Sequence, residues 1–134
     1  MAIHSTVSSF NLSLSKYGKT VIPDFARGRV TVVALTGAKA LTERTRVDEG
    51  RAKGNWQFSL RDPAEGEIER LEPTPEGTAG RAVQTEVLGD MPSWKPGEWI
   101  WFHNGVPYIG VLDDLDSILS RTKEYLESWL RSAK

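Results

Sequence analysis

The chain contains no cysteine, which excludes disulfides and thiolate metal sites and agrees with synthesis in a reducing compartment. It has no run of about 18 apolar residues, so no helical span of a bilayer is expected and no membrane is among its expected partners. Its first residues lack a charged segment followed by an apolar core, so no secretory leader is expected. Neither sign of charge dominates: 17 Lys and Arg stand against 18 Asp and Glu, a formal net charge of -1. Nothing electrostatic therefore recruits nucleic acid or an anionic membrane to the surface as a whole. Histidine is scarce too. Only His4 and His103 occur, neither with a second histidine at ligand spacing, which argues against a zinc site. Neither a Gly-rich phosphate loop nor a nucleophile elbow is present.

What the chain does have is a concentration of aromatic residues in one place, "WIWFHNGVPYI", residues 99–109. A strand half exposed to water alternates apolar with polar. Here Trp99 and Trp101 point one way and Ile100 and Phe102 the other, so both faces need cover. Asn104-Gly105 marks a turn. Pro107 has no amide hydrogen for a returning strand but suits the first turn of a helix, and Tyr108, Val111, Leu112 and Leu115 then follow at helical spacing. The spacing predicts strand, turn, helix in preference to a hairpin.

At 134 residues the length suits one domain with a real core. Residues 1–23 read as an N-terminal arm in which Phe10, Leu12 and Leu14 alternate with polar residues, as in a strand that joins a sheet. From Asp24 to Arg46, the recurrence of Val30, Val33, Ala34, Gly37, Ala38 and Leu41 predicts a long amphipathic helix whose small residues permit close approach to a sheet. Asn55 to Leu60 predicts a strand with Trp56, Phe58 and Leu60 inward. The stretch 61–80 is rich in Pro and Gly and reads as a flexible loop or hairpin tip with a short return strand near Ile68. Ala79 to Leu88 predicts a second, short helix. A C-terminal helix carries Leu115, Ile118, Leu119, Thr122, Leu126, Trp129 and Leu130 on one face, with Asp116 or Ser117 capping its start. The fold class expected is α+β: one domain over 24–134, an antiparallel sheet packed on one face with the long helix and the C-terminal helix.

Candidate chemistry is sparse. Asp113, Asp114 and Asp116 have the oxygen donors a magnesium ion needs, but the commoner reading of such a cluster is a solvated helix end. No catalytic residue, cofactor or metal ligand is expected. The stretch "VDEGRAKGNW", residues 47–56, reads as a helix exit: Gly50 gives a left-handed cap, Asp48 pairs with Arg51 or accepts amide hydrogens, and Arg51 and Lys53 sit beside a sheet edge.

Taken in order, "VDEGRAKGNWQ" and "IWFHNGVPYIGVLDD" resemble the neck and tail-completion protein family of long-tailed bacteriophages. Val47, Asp48, Gly50, Arg51, Asn55 and Trp56 match the family's first motif, and Asn104, Pro107, Tyr108, Leu112 and Asp113 its second. The likeness spans roughly residues 25–117. Two departures stand out: Arg46 replaces a common Pro, and Leu115-Asp116-Ser117 replaces a Gly-x-Ser turn and Gln-Ala-Pro loop. The resemblance implies a structural virion protein at the head-tail junction, made in the bacterial host cytoplasm and forming a homo-oligomeric ring of about six or twelve copies. It implies as partners a head connector or stopper protein, a tail terminator or tail tube protein, and double-stranded DNA passing through without sequence-specific contact. Trp99, Trp101 and the motif residues would serve structure or interface, and Phe10, Leu12 and Leu14 an inter-subunit arm. The alternatives are a tail terminator capping the tail tube, a small metal-dependent phosphate-processing enzyme built on the three Asp residues, and a cellular binding module.

Overall fold

A computed structural model describes residues 2–5, 9–13, 23–47, 50–75, 77–78 and 80–132. The elements in chain order are β1 (Ala2–Ser5), β2 (Ser9–Ser13), α1 (Pro23–Glu43), α2 (Arg51–Gly54), β3 (Trp56–Leu60), α3 (Ala82–Asp90), a 3₁₀ turn (Met91–Ser93), β4 (Ile100–Asn104), α4 (Ile109–Asp116) and α5 (Ile118–Ser132). The four strands form one sheet in the order β1-β2-β4-β3, every neighbouring pair antiparallel. The fold is the expected α+β domain.

Helix α1 is the hub. Its periodic stripe, Val30, Val33, Ala34, Ala38 and Leu41, is buried, and it packs against α3 and α5 while crossing β3. At Gly37 an added Cβ would lie 3.5 Å from the Phe102 ring and 3.6 Å from Leu126, so helix, sheet and C-terminal helix meet at that residue. Trp56, Phe58, Ile100 and Phe102 supply the sheet's side of the core, with the Phe58 and Phe102 rings 5.3 Å apart and tilted by 57°, a favourable aromatic arrangement. Burying such side chains stabilises by roughly 1.5–3 kcal/mol each. Trp94, fully buried, fastens the connection after α3: its Nε1 donates to Glu98 O at 3.0 Å and its carbonyl accepts from Arg27 Nε at 3.0 Å.

The aromatic stretch forms strand, turn and helix, as its Pro107 requires. Several local expectations are corrected. Helix α1 ends at Glu43, so Gly50, left-handed at φ 79°, opens α2 instead of closing the long helix. Helix α4 ends at Asp116 and α5 begins afresh at Ile118, with Ser117 between them at φ 51°. The amide of Leu119 donates to Asp113 Oδ1 at 2.9 Å, so Asp113 caps α5 and neither Asp116 nor Ser117 does. Leu115 belongs to α4 and is 62% exposed, not part of the buried stripe.

Among the described residues of 61–80 there is no return strand; the segment is a strap held by side chains of other elements. Gln57 Nε2 donates to Gly66 O at 3.0 Å, and His103 Nε2 reaches the same carbonyl at 3.1 Å. Ile68 N donates to Asn55 Oδ1 at 2.8 Å. Glu72 Oε1 accepts from the amides of Arg81 and Ala82 at 2.8 and 2.6 Å, capping α3 from ten residues away in sequence. A carboxylate there is also favoured by the helix dipole. No spacing rule could have named Glu72 as a cap.

Asp48 and Leu14, for which the sequence suggests a turn contact and an arm, lie outside the described residues. Phe10 and Leu12 fall on β2, which pairs with β4 of the same chain.

Candidate functional site

The two motif segments lie about fifty residues apart in sequence and meet at one end of the sheet. Trp56 of β3 is the register partner of Asn104 of β4. Asn104 is fully buried: its Nδ2 donates to Ala52 O at 2.8 Å, and its Oδ1 accepts from Val106 N at 3.2 Å. One amide thus joins the first motif to the second and shapes the turn that leads to α4. Arg51 places its guanidinium 5.8 Å from the Tyr108 ring centroid and gives Glu67 Oε1 a hydrogen bond from Nε at 3.0 Å. Tyr108 and Leu112 line a shallow cleft with Ala52 and Arg46. Pro107 lies exposed in the turn, and Val47 is half-buried.

The other motif residues have similarly definite work. Asn55 Nδ2 donates to Arg51 O at 2.9 Å, closing the α2 turn, while its Oδ1 holds the strap. Trp56 Nε1 donates to Thr45 Oγ1 at 2.8 Å. The Gly50 carbonyl accepts from both Gly54 N and Glu72 N at 2.9 Å, and an added Cβ there would fall 2.5 Å from the Glu72 carbonyl carbon. Gly105 is small for a different reason from the one its Asn-Gly context suggests. It does not adopt a positive φ; an added Cβ would sit 1.8 Å from Gly66 O, so glycine is required by the strap lying directly on the turn.

Lys53 departs from its expected place beside a sheet edge. It is 1% exposed, and its Nζ donates to the carbonyls of Pro75, at 3.1 Å, and Thr78. A buried ammonium is tolerated when its hydrogens are used. Sequence composition alone gave no sign of this, because a Lys in a Gly-rich turn ordinarily faces water.

Of the three aspartates, two are committed. Asp113 caps α5, and Asp116 receives both arms of Arg46, at 2.7 and 2.9 Å. Bidentate pairing of this kind fixes direction as well as charge. Arg46 therefore ties the end of α4 to the segment after α1.

The outer face of the sheet carries the aromatic surface. Trp99 and Trp101 are half-buried, their ring centroids 6.0 Å apart, and Trp101 Nε1 donates to Arg61 O at 2.9 Å. Arg61 stands at φ 68° and pairs with Glu98 at 2.8 Å. The hydrogen bond from Arg61 holds the Glu98 carboxyl below the usual range, and the same bond raises the Arg61 guanidinium. Elsewhere, Val111 and Leu115 of α4 are 61% and 62% exposed and one helical turn apart. No known protein family, curated protein or solved structure matches the chain.

Proposed function

We propose that this chain is a structural protein of a tailed bacteriophage virion, assembling into a ring at the head-tail junction through which DNA passes. The observation that carries the reading is the meeting of the two motif segments through Asn104 and Ala52. The motif residues described at that meeting hold a turn, a cap or a strand pairing, which is work suited to a rigid building block. Asp113 and Asp116 are likewise engaged in a cap and an ion pair, which favours the structural reading over a phosphate-processing enzyme.

A ring also needs two different sticky surfaces per subunit, because its contacts are heterologous and close by rotation. The Trp99–Trp101 patch on the sheet and the Val111–Leu115 pair on α4 supply two, on different elements. Near-zero net charge suits a conduit for a polyanion that carries one charge per about 1.7 Å of duplex. A strongly basic lumen would hold the genome in place.

The test is electron microscopy of lysates after deleting this reading frame from the genome that encodes it. Filled heads beside free tails of normal length are the expected outcome. Overlong tails would reassign the protein as a tail terminator, and intact infectious particles would remove the reading altogether.

A further inference from the structure

The strands at the two sides of β4 are attached in different ways. On one side, β3 is built into the core, contacting α3 and α1 as well as β4. On the other, β1 and β2 meet the rest of the described chain chiefly along the β4 edge. Residues 14–22 join this hairpin to α1, and a chain of that length reaches roughly 30 Å when extended. The covalent link therefore does not dictate which β4 edge the hairpin occupies.

We infer that the β1–β2 hairpin is exchanged between copies of this chain, β2 of one subunit completing the sheet of the next at its β4 edge. The inference rests on the ring reading and gives it a closing contact. The occupant is a second copy because the intrachain pairing already displays the fit: Ser9 opposite His103, Phe10 opposite Phe102, Asn11 opposite Trp101 and Leu12 opposite Ile100. Exchange keeps the same pairs and changes only the chain that supplies them, which makes it a low-cost route to assembly. Main-chain hydrogen bonds would carry affinity and the register specificity. Donor and acceptor are different elements, so each subunit gives to one neighbour and receives from another, as a heterologous ring demands.

The ladder also supplies the test. Arg61 N donates to Trp99 O at 2.9 Å, so odd-numbered residues of β4 turn their backbone groups toward β3 and even-numbered ones toward β2. The pairs Asn11/Trp101 and Ser9/His103 are then non-hydrogen-bonded pairs, the ladder positions of closest backbone approach, at which two introduced cysteines can be bridged. With no native cysteine, any bridge formed is the engineered one.

The full chain carrying both Ser9→Cys and His103→Cys, a pair outside the Trp99–Trp101 patch, is to be oxidised, separated on a non-reducing gel and sized in parallel by sedimentation and electron microscopy. Covalent ladders within closed rings are expected, together with heterodimers when the two single variants are mixed. Rings whose subunits all run as monomers with internal bridges would overturn the exchange and leave the ring reading standing. Interchain bridges in open chains or dimers would uphold the exchange while removing the ring. Monomers with internal bridges at every concentration would overturn the exchange and withdraw support from the ring as well. If His103→Cys does not fold, Asn11→Cys with Trp101→Cys reads the same register, interchain bridges upholding the exchange and internal bridges alone overturning it.

Discussion

The two faces of strand β4 solve the same problem by different means. Its inner face, Ile100 and Phe102, is covered by close-packed side chains from α1, β3 and α5. Its outer face, with Trp101 and His103 and, just before the strand, Trp99, is covered in part by a strap held through hydrogen bonds to single carbonyls such as Gly66 O. Packing on the inside is cooperative and intolerant of lost volume. Hydrogen bonds on the outside exchange with water and contribute less each. The inner face thus sets stability, and the outer face is free to serve another purpose.

That division can be tested by breaking each face in turn. Phe102→Ala should have the largest effect, a loss of about 3–5 kcal/mol in chemical denaturation, since it opens a cavity where Gly37 and Leu126 meet. A loss below about 1 kcal/mol would mean the inner face is not the principal core. Gln57→Leu removes one of the two donors to Gly66 O, and His103 remains to serve the carbonyl, so about 1 kcal/mol is expected. Faster amide exchange across residues 64–70, with α1 unchanged, would locate that effect in the strap. Trp99→Lys should cost no more than about 1 kcal/mol in the isolated subunit and yet, under the proposed ring reading, abolish assembly in sedimentation. Normal rings from this variant would end the interface role of the outer face.

The smallest effect belongs to Glu98→Gln. The Glu98 carboxyl is held below its ordinary range by Arg61, so its contribution is present above the unfolded carboxylate pKa and is lost as pH falls through the lower, folded value. Denaturation midpoints of the parent and Glu98→Gln should differ slightly at neutral pH and converge in strong acid. Equal midpoints at neutral pH would show that the pair does not brace Arg61 and, through its carbonyl, Trp101.

How much of this was legible in the sequence follows from the range of each interaction. The α1 stripe, the inward side of β3 and the strand, turn and helix around Pro107 all rest on spacing between near neighbours, and they are in place. Features that depend on contacts distant in the chain were not legible. Lys53 is buried because the strap brings two carbonyls to it, and Gly105 is small because Gly66 lies on it. Spacing points to Asp116 or Ser117 as the cap of α5, whereas Asp113 fills that role, since Ser117 breaks α4 from α5 through a left-handed backbone that a serine rarely adopts. At the candidate site, alternation alone separates the half-buried Trp99 and Trp101 from the buried Ile100 and Phe102. The bond between Asn104 and Ala52, which unites the motifs, needed the fold to bring it about.

One side chain at the far end of the sheet obstructs strand pairing along the β3 edge. Alternation along β3 sends the carbonyls of Trp56, Phe58 and Leu60 away from β4. Arg70 occupies the first, donating to Gly54 O and Trp56 O at 2.7 Å each while Glu86 steadies it at 3.0 Å, and Asp62 N occupies the third at 2.8 Å. A ribbon of molecules joined strand to strand must find a vacancy at both ends of every sheet. Here two of the three outward carbonyls of β3 are taken, so a foreign strand finds a poor template along that edge, and open-ended growth of one sheet into the next, the route to fibres, is disfavoured there.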